Sequence, residues 1–145
     1  DIGRLLSAKF FPDEFRAVNN YCEEHGCLVE EAEKALGVPS RATLGALLAR
    51  HWELPEMIRV ACAAHDEVSL FALDPNSRDD AFQRMICLSY LTARLGEGKL
   101  CAEKSADLVN RISQFINLDR EHYSGVVESV NELEEEVESF VARLS

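Results

Sequence analysis

The sequence predicts an all-α protein, a helical bundle of about eight helices, from three observations. Apolar residues recur almost everywhere at the helical period of about 3.6, and no stretch of useful length alternates at period two. The 145 residues include just 4 Pro and 7 Gly, too few for a turn-rich β-sandwich. A composition 47% hydrophobic and 28% charged is that of a globular chain able to bury a core, and the length suits one domain.

A first helix is predicted from Asp1 to about Phe10, with Ile2, Leu5 and Leu6 on one side. Pro12 opens the second as a first-turn proline, and Asp13 and Glu14 favour the positive end of its dipole. Phe15, Val18 and Cys22 form its buried stripe, and Gly26 ends it. A short third helix runs from Leu28 to Leu36 and stops at Gly37 and Pro39. Ser40 is a good N-cap for the fourth, where Leu44, Leu47 and Leu48 face inward and Gly45, Ala46 and Ala49 allow a close helix neighbour. Pro55 and Glu56 open the fifth, with Ile58, Ala61, Cys62 and His65 on one face. From Asp66 to Arg78 the pattern is least regular, and Asp74 to Ser77 mark a loop. An amphipathic helix follows to Leu95 with Phe82, Met85, Ile86 and Ser89 on one face. Another covers about Ala102 to Ile116 with Leu108, Ile112 and Phe115 inward, and the last runs from Asp119 almost to the end.

The 26 acidic and 15 basic residues give a net charge of −11, and the basic ones are scattered. Phosphate-backbone affinity needs concentrated Lys and Arg, so nucleic acid is not an expected partner. Cys22, Cys27, Cys62, Cys87 and Cys101 form no C-x-x-C pair and read as free thiols of a reducing, cytoplasmic compartment. No apolar run approaches the roughly 18 residues of a membrane span, so no membrane insertion is expected. No basic stretch followed by an apolar one marks a signal peptide, and a chain starting at Asp1 reads as cut from something longer.

Several spaced elements belong together. Asp1-Ile2-Gly3-Arg4-Leu5-Leu6 opens the chain, followed by Leu36-Gly37-Val38-Pro39-Ser40, Leu44-Gly45-Ala46-Leu47-Leu48 and Trp52-Glu53-Leu54-Pro55-Glu56. The first resembles the segment after the histidine of the His-Asp motif in HD-superfamily domains. The others resemble the HDOD signature: leucine-glycine, a histidine, a glycine-led apolar helix, tryptophan-x-leucine-proline, and a helix ending in a His-His pair. The resemblance implies the C-terminal portion of an HDOD-like domain over residues 1–96, and residues 97–145 read as a helical extension packed on it. It also implies a regulatory module of bacterial signalling proteins whose metal site has decayed.

The departures bear on chemistry. Ser40 stands at the signature histidine, Asp66 replaces the second histidine of the pair, and Tyr90 falls where HD enzymes carry their last metal-binding aspartate. A catalytic metal needs at least three protein ligands and an open position. Asp1 and His65 remain as vestigial-site candidates, each with an ordinary reading beside it: a helix-start carboxylate and a core histidine near a helix end. His65-Asp66 spells the motif dipeptide by coincidence, since it closes a helix. No catalytic residue, metal or cofactor is expected.

Gly37, Ser40, Gly45, Trp52 and Pro55 are expected to be structural, with Trp52 a buried anchor. In the last helix Val126, Val130, Leu133, Val137, Phe140 and Leu144 step by four and three, an a/d seam among glutamates. The seam is expected to dock on its own domain, and Val130, Leu133, Val137 and Phe140 are the interaction candidates. The expected function is a non-catalytic regulatory module binding other signalling proteins or fused domains. A metal-dependent phosphohydrolase completed by upstream ligands and a helical oligomerisation module are the alternatives.

Overall fold

The computed structural model describes the backbone of residues 2–144, and within it all side chains except those of 134, 135 and 138–144. Asp1 and the side chain of Phe140 lie outside the described residues. Nine helices and no strand are described: α1 (Ile2–Phe10), α2 (Pro12–His25), α3 (Val29–Leu36), α4 (Arg41–His51), α5 (Glu56–Ala63), α6 (Glu67–Phe71), α7 (Ala81–Gly96), α8 (Ala102–Phe115) and α9 (Arg120–Leu144). The fold is an all-α bundle. Among the described residues, no helix is long and apolar enough to cross a membrane. The helix beyond the expected eight is α6, in the stretch read as irregular, where the Asp66 carboxylate caps it by accepting from Ser69 N at 2.6 Å.

The helix ends follow local chemistry. Pro12 occupies the first turn of α2, and Gly26 closes that helix in the left-handed region at φ 57°. Three C-termini share a six-to-one bond: Val38 N to Glu33 O at 3.1 Å, Leu54 N to Ala49 O at 2.9 Å and Leu118 N to Ser113 O at 3.0 Å. Gly37, Glu53 and Asn117 supply the left-handed residue before each donor. Ser40 caps α4 by accepting from Thr43 N at 3.5 Å.

Packing divides into two linked cores. The larger joins Leu70 of α6, Cys87, Leu91 and Leu95 of α7, Leu108 and Ile112 of α8, and Tyr123 of α9, with Leu28 reaching in from the start of α3. The smaller joins Val18 of α2 to Val29 and Ala32 of α3. Lys104 of α8 bridges Glu31 at 3.0 Å and Glu67 at 2.7 Å, and Arg111 pairs with Glu67 while lying 4.1 Å over the Phe71 ring. The small face of α4 receives α1: a Cβ built on Gly3 would sit 1.9 Å from the Arg41 carbonyl oxygen, and one on Gly45 3.2 Å from Gly3 N.

Two expectations are corrected here. Trp52 is not a buried anchor, because the residue is 59% exposed. Glu53 turns left-handed straight after it, at φ 52°, and the half-buried Leu54 turns inward in its place. Trp52→Ala is therefore expected to lower stability by under about 1 kcal/mol, far below the 3–5 kcal/mol of a buried aromatic, as read by urea denaturation.

The a/d seam of α9 is also not the docking stripe. Leu133 and Val137 are about 60% exposed, at 59% and 60%, and Val126 is exposed too. The stripe against α7 is Tyr123, Val127 and Val130. A hydrogen bond of 2.8 Å between the Tyr123 and Thr92 hydroxyls fixes the rotation of the helix. Val130 lies over Gly96, 3.0 Å from where a Cβ would be. Among the described side chains of the predicted seam, Val130 alone is shared.

Candidate functional site

An apolar cleft opens between α1, α4, α5 and α7 and has a volume of about 510 Å³. Its walls follow from sequence. Gly3 and Gly45 bring α1 and α4 too close for side chains to fill the gap, so the floor there is backbone. The face of α5 carrying Ile58, Ala61 and Cys62 forms one side, and Phe82, Ile86 and Tyr90 of α7 the other. His65, just beyond α5, sits edge-on to the Tyr90 ring with centroids 4.8 Å apart and planes at 84°.

The polar groups around the cleft are already committed. The Tyr90 hydroxyl donates to Glu30 Oε1 at 2.6 Å. Burial, and then the Glu30 carboxylate, hold the Tyr90 phenol protonated well above its ordinary range. Asp66 spends its carboxylate on the first turn of α6, and Ser40 spends its hydroxyl on α4. The three positions where the HD pattern has metal ligands thus hold two caps and one packed phenol. His65 is the remaining imidazole. Among the described residues, no group of three or more His, Cys, Asp and Glu side chains is placed to hold a metal ion. The described donor set does not fit a catalytic metal, which needs at least three ligands.

Residues 1–68 match the HDOD domain family. This part of the chain is an HDOD domain. No curated protein and no solved structure matches the chain. The HDOD match spans α1 to α5 and ends at the start of α6, so the α7 wall of the cleft comes from beyond it.

The remaining expected positions are spread over the HDOD segment. Gly37 closes α3, at φ 65°, and Pro55 precedes the first residue of α5. Neither lines the apolar cleft, whereas Gly45 and His65 do. What sequence reading missed altogether is a second, polar cleft lined by Arg4, Arg41, Arg94 and Lys99. These cations stand far apart in the chain and no spacing signals them.

Proposed function

We propose that this chain is a non-catalytic regulatory module of a bacterial signalling protein, acting in the cytoplasm by binding other signalling proteins or domains fused to it. The motif order from Asp1 to Pro55 supports reading it as the C-terminal portion of an HDOD domain with a helical extension. One observation carries the function: the cleft beside His65 and Tyr90 is open, apolar and walled by Ile58, Phe82 and Ile86. Such a cleft takes apolar side chains from a partner's helix, which bury well there without hydrogen bonds of their own. Hydrolysis would need converging charged ligands, and Asp66 and Tyr90 are turned to capping and packing instead.

Ile58→Asp tests the reading in the full-length protein, because Ile58 is already partly exposed and its loss leaves the two cores intact. Affinity capture should recover partners with the parent protein and lose them with Ile58→Asp, while circular dichroism is unchanged. Neither protein should hydrolyse phosphodiesters with added manganese. Hydrolysis abolished by His65→Ala would instead establish the phosphohydrolase alternative.

A further inference from the structure

We propose that the outward stripe of α9 is a docking surface for a basic amphipathic helix of a partner protein. Val126, Leu133 and Val137 follow one another at helical spacing, seven and then four residues apart. They are 47%, 59% and 60% exposed, because Tyr123, Val127 and Val130 have taken the place against α7. The Tyr123–Thr92 hydrogen bond and the seat of Val130 over Gly96 fix that rotation, so α9 does not turn to bury this face as well. The stripe is about 16 Å long at 1.5 Å per residue, the reach of roughly three helical turns. A partner helix of matching length would lay its own apolar seam along it.

The neighbouring charges say what kind of helix that is. Between residues 121 and 142 the sequence has seven Glu and no Lys or Arg. Glu128, Glu132 and Glu136 form one row at a spacing of four, and all three are exposed. Glu136 stands one turn from Leu133, so the row borders the stripe on the side away from α7. Among the described residues, none of the three is in an ion pair. Like charges four apart repel along a helix, and Lys or Arg on a partner turns that cost into attraction.

The same row argues against other occupants. A second copy would set glutamates against glutamates in either orientation, with no Lys or Arg between 121 and 142 to answer them. Anionic lipid and nucleic acid are repelled for the same reason. No residue of α9 lines the apolar cleft, so this surface goes beyond the reading of that cleft and does not depend on it.

Fluorescence anisotropy of the whole chain with a labelled three-heptad peptide, leucine at a and d and lysine at e and g, tests the surface. Saturable one-to-one binding is expected, weakening as salt is raised. Leu133→Gln with Val137→Gln removes exposed apolar area and keeps the charge. That variant should fold as the parent does and bind about tenfold or more weakly. Glu132→Gln with Glu136→Gln should also bind more weakly, with a shallower salt dependence. Glu23→Gln with Glu24→Gln makes the same charge change at exposed positions of α2 and should bind as the parent does. Ile58→Asp should bind no more weakly than the parent, which separates this surface from the apolar cleft. Absence of saturable binding overturns the proposal, and so does parent-like binding by Leu133→Gln with Val137→Gln. An equal loss in the α2 variant overturns it by showing general charge attraction, and a loss in Ile58→Asp by placing the peptide in the cleft. A chain that sediments as a dimer, and as a monomer once Leu133 and Val137 are both Gln, overturns it by making a second copy the occupant.

Discussion

Gly3→Val is expected to destabilise the fold by about 3 kcal/mol or more, at or beyond the top of the usual range for overpacking. The reason is what the new side chain meets. A Cβ at Gly3 would stand 1.9 Å from the Arg41 carbonyl oxygen and 2.7 Å from its carbon, and both are backbone. A side chain can swing away; the first turn of α4 cannot, because Ser40 and Glu33 fix it. The two helices would have to separate, opening the floor of the apolar cleft as they do. Domains of this size have roughly 5–15 kcal/mol in all, so the variant should be marginal. Gly125→Ala is the matched control. Gly125 is exposed within α9, and a Cβ there meets nothing within 4 Å. It should raise stability by roughly 0.5–1 kcal/mol, the helix-propensity difference. Urea midpoints of the two variants moving in opposite directions would confirm both; an unchanged midpoint in Gly3→Val would refute the close approach.

Glu33→Ala should cost about 3–5 kcal/mol by the same measurement, the usual penalty for stripping one partner from a buried ion pair. Glu33 is buried on α3, and its Oε1 accepts from both the Arg41 backbone N–H at 3.0 Å and the Arg41 Nε at 3.1 Å. One carboxylate oxygen thus caps α4 and holds a buried guanidinium. Burial nevertheless pushes the Glu33 carboxyl above its ordinary range, outweighing the help of Arg41, and the nearby Glu30 adds to the rise. A carboxyl raised in the folded state contributes stability that is fully present below its unfolded value and is lost as pH rises through its folded value. The wild-type advantage from this group therefore weakens towards neutral pH, opposite to a surface carboxylate paired with arginine. The double change Glu33→Leu with Arg41→Met should recover much of the loss, since the desolvated charges go together. It should still fall short of wild type by about 1–3 kcal/mol, because the Arg41 N–H at the start of α4 loses its acceptor.

What could be read in the sequence was what neighbouring residues decide. Pro12, Gly26, Gly37 and Ser40 mark helix ends through backbone chemistry that acts within one turn, and the structure places helix ends at each of them. Leu108 and Ile112 were legible because α8 has a single apolar face. In α9 the case was different. Val126 and Val127 lie side by side, each heading an apolar stripe, and nothing local chooses between them. The partner chooses: Thr92 and Gly96 on α7 accept Tyr123 and Val130, and turn Val126 and Leu133 outward. Trp52 was misjudged for a related reason, since large apolar area describes what a side chain gains if covered and says nothing of whether a neighbour arrives. The polar cleft was the least legible feature. Its members come from α1, α4, α7 and the turn after α7, and only folding brings them together.

Leu28 and Val29 are adjacent in sequence and serve different cores, Leu28 the larger and Val29 the smaller. A residue pair of this kind makes the two regions hard to open separately. If the α2–α3 hairpin lifts away, Leu28 leaves the larger core; if α8 departs, α3 loses the seat that orients it. The Cys101 N–H, bonded to the Gly26 carbonyl at 2.7 Å, ties the same two regions one turn away. Slow amide exchange should consequently run through α2, α3, α7 and α8 as one protected set with a common opening free energy, so that the chain behaves as a single cooperative unit although its family match ends midway.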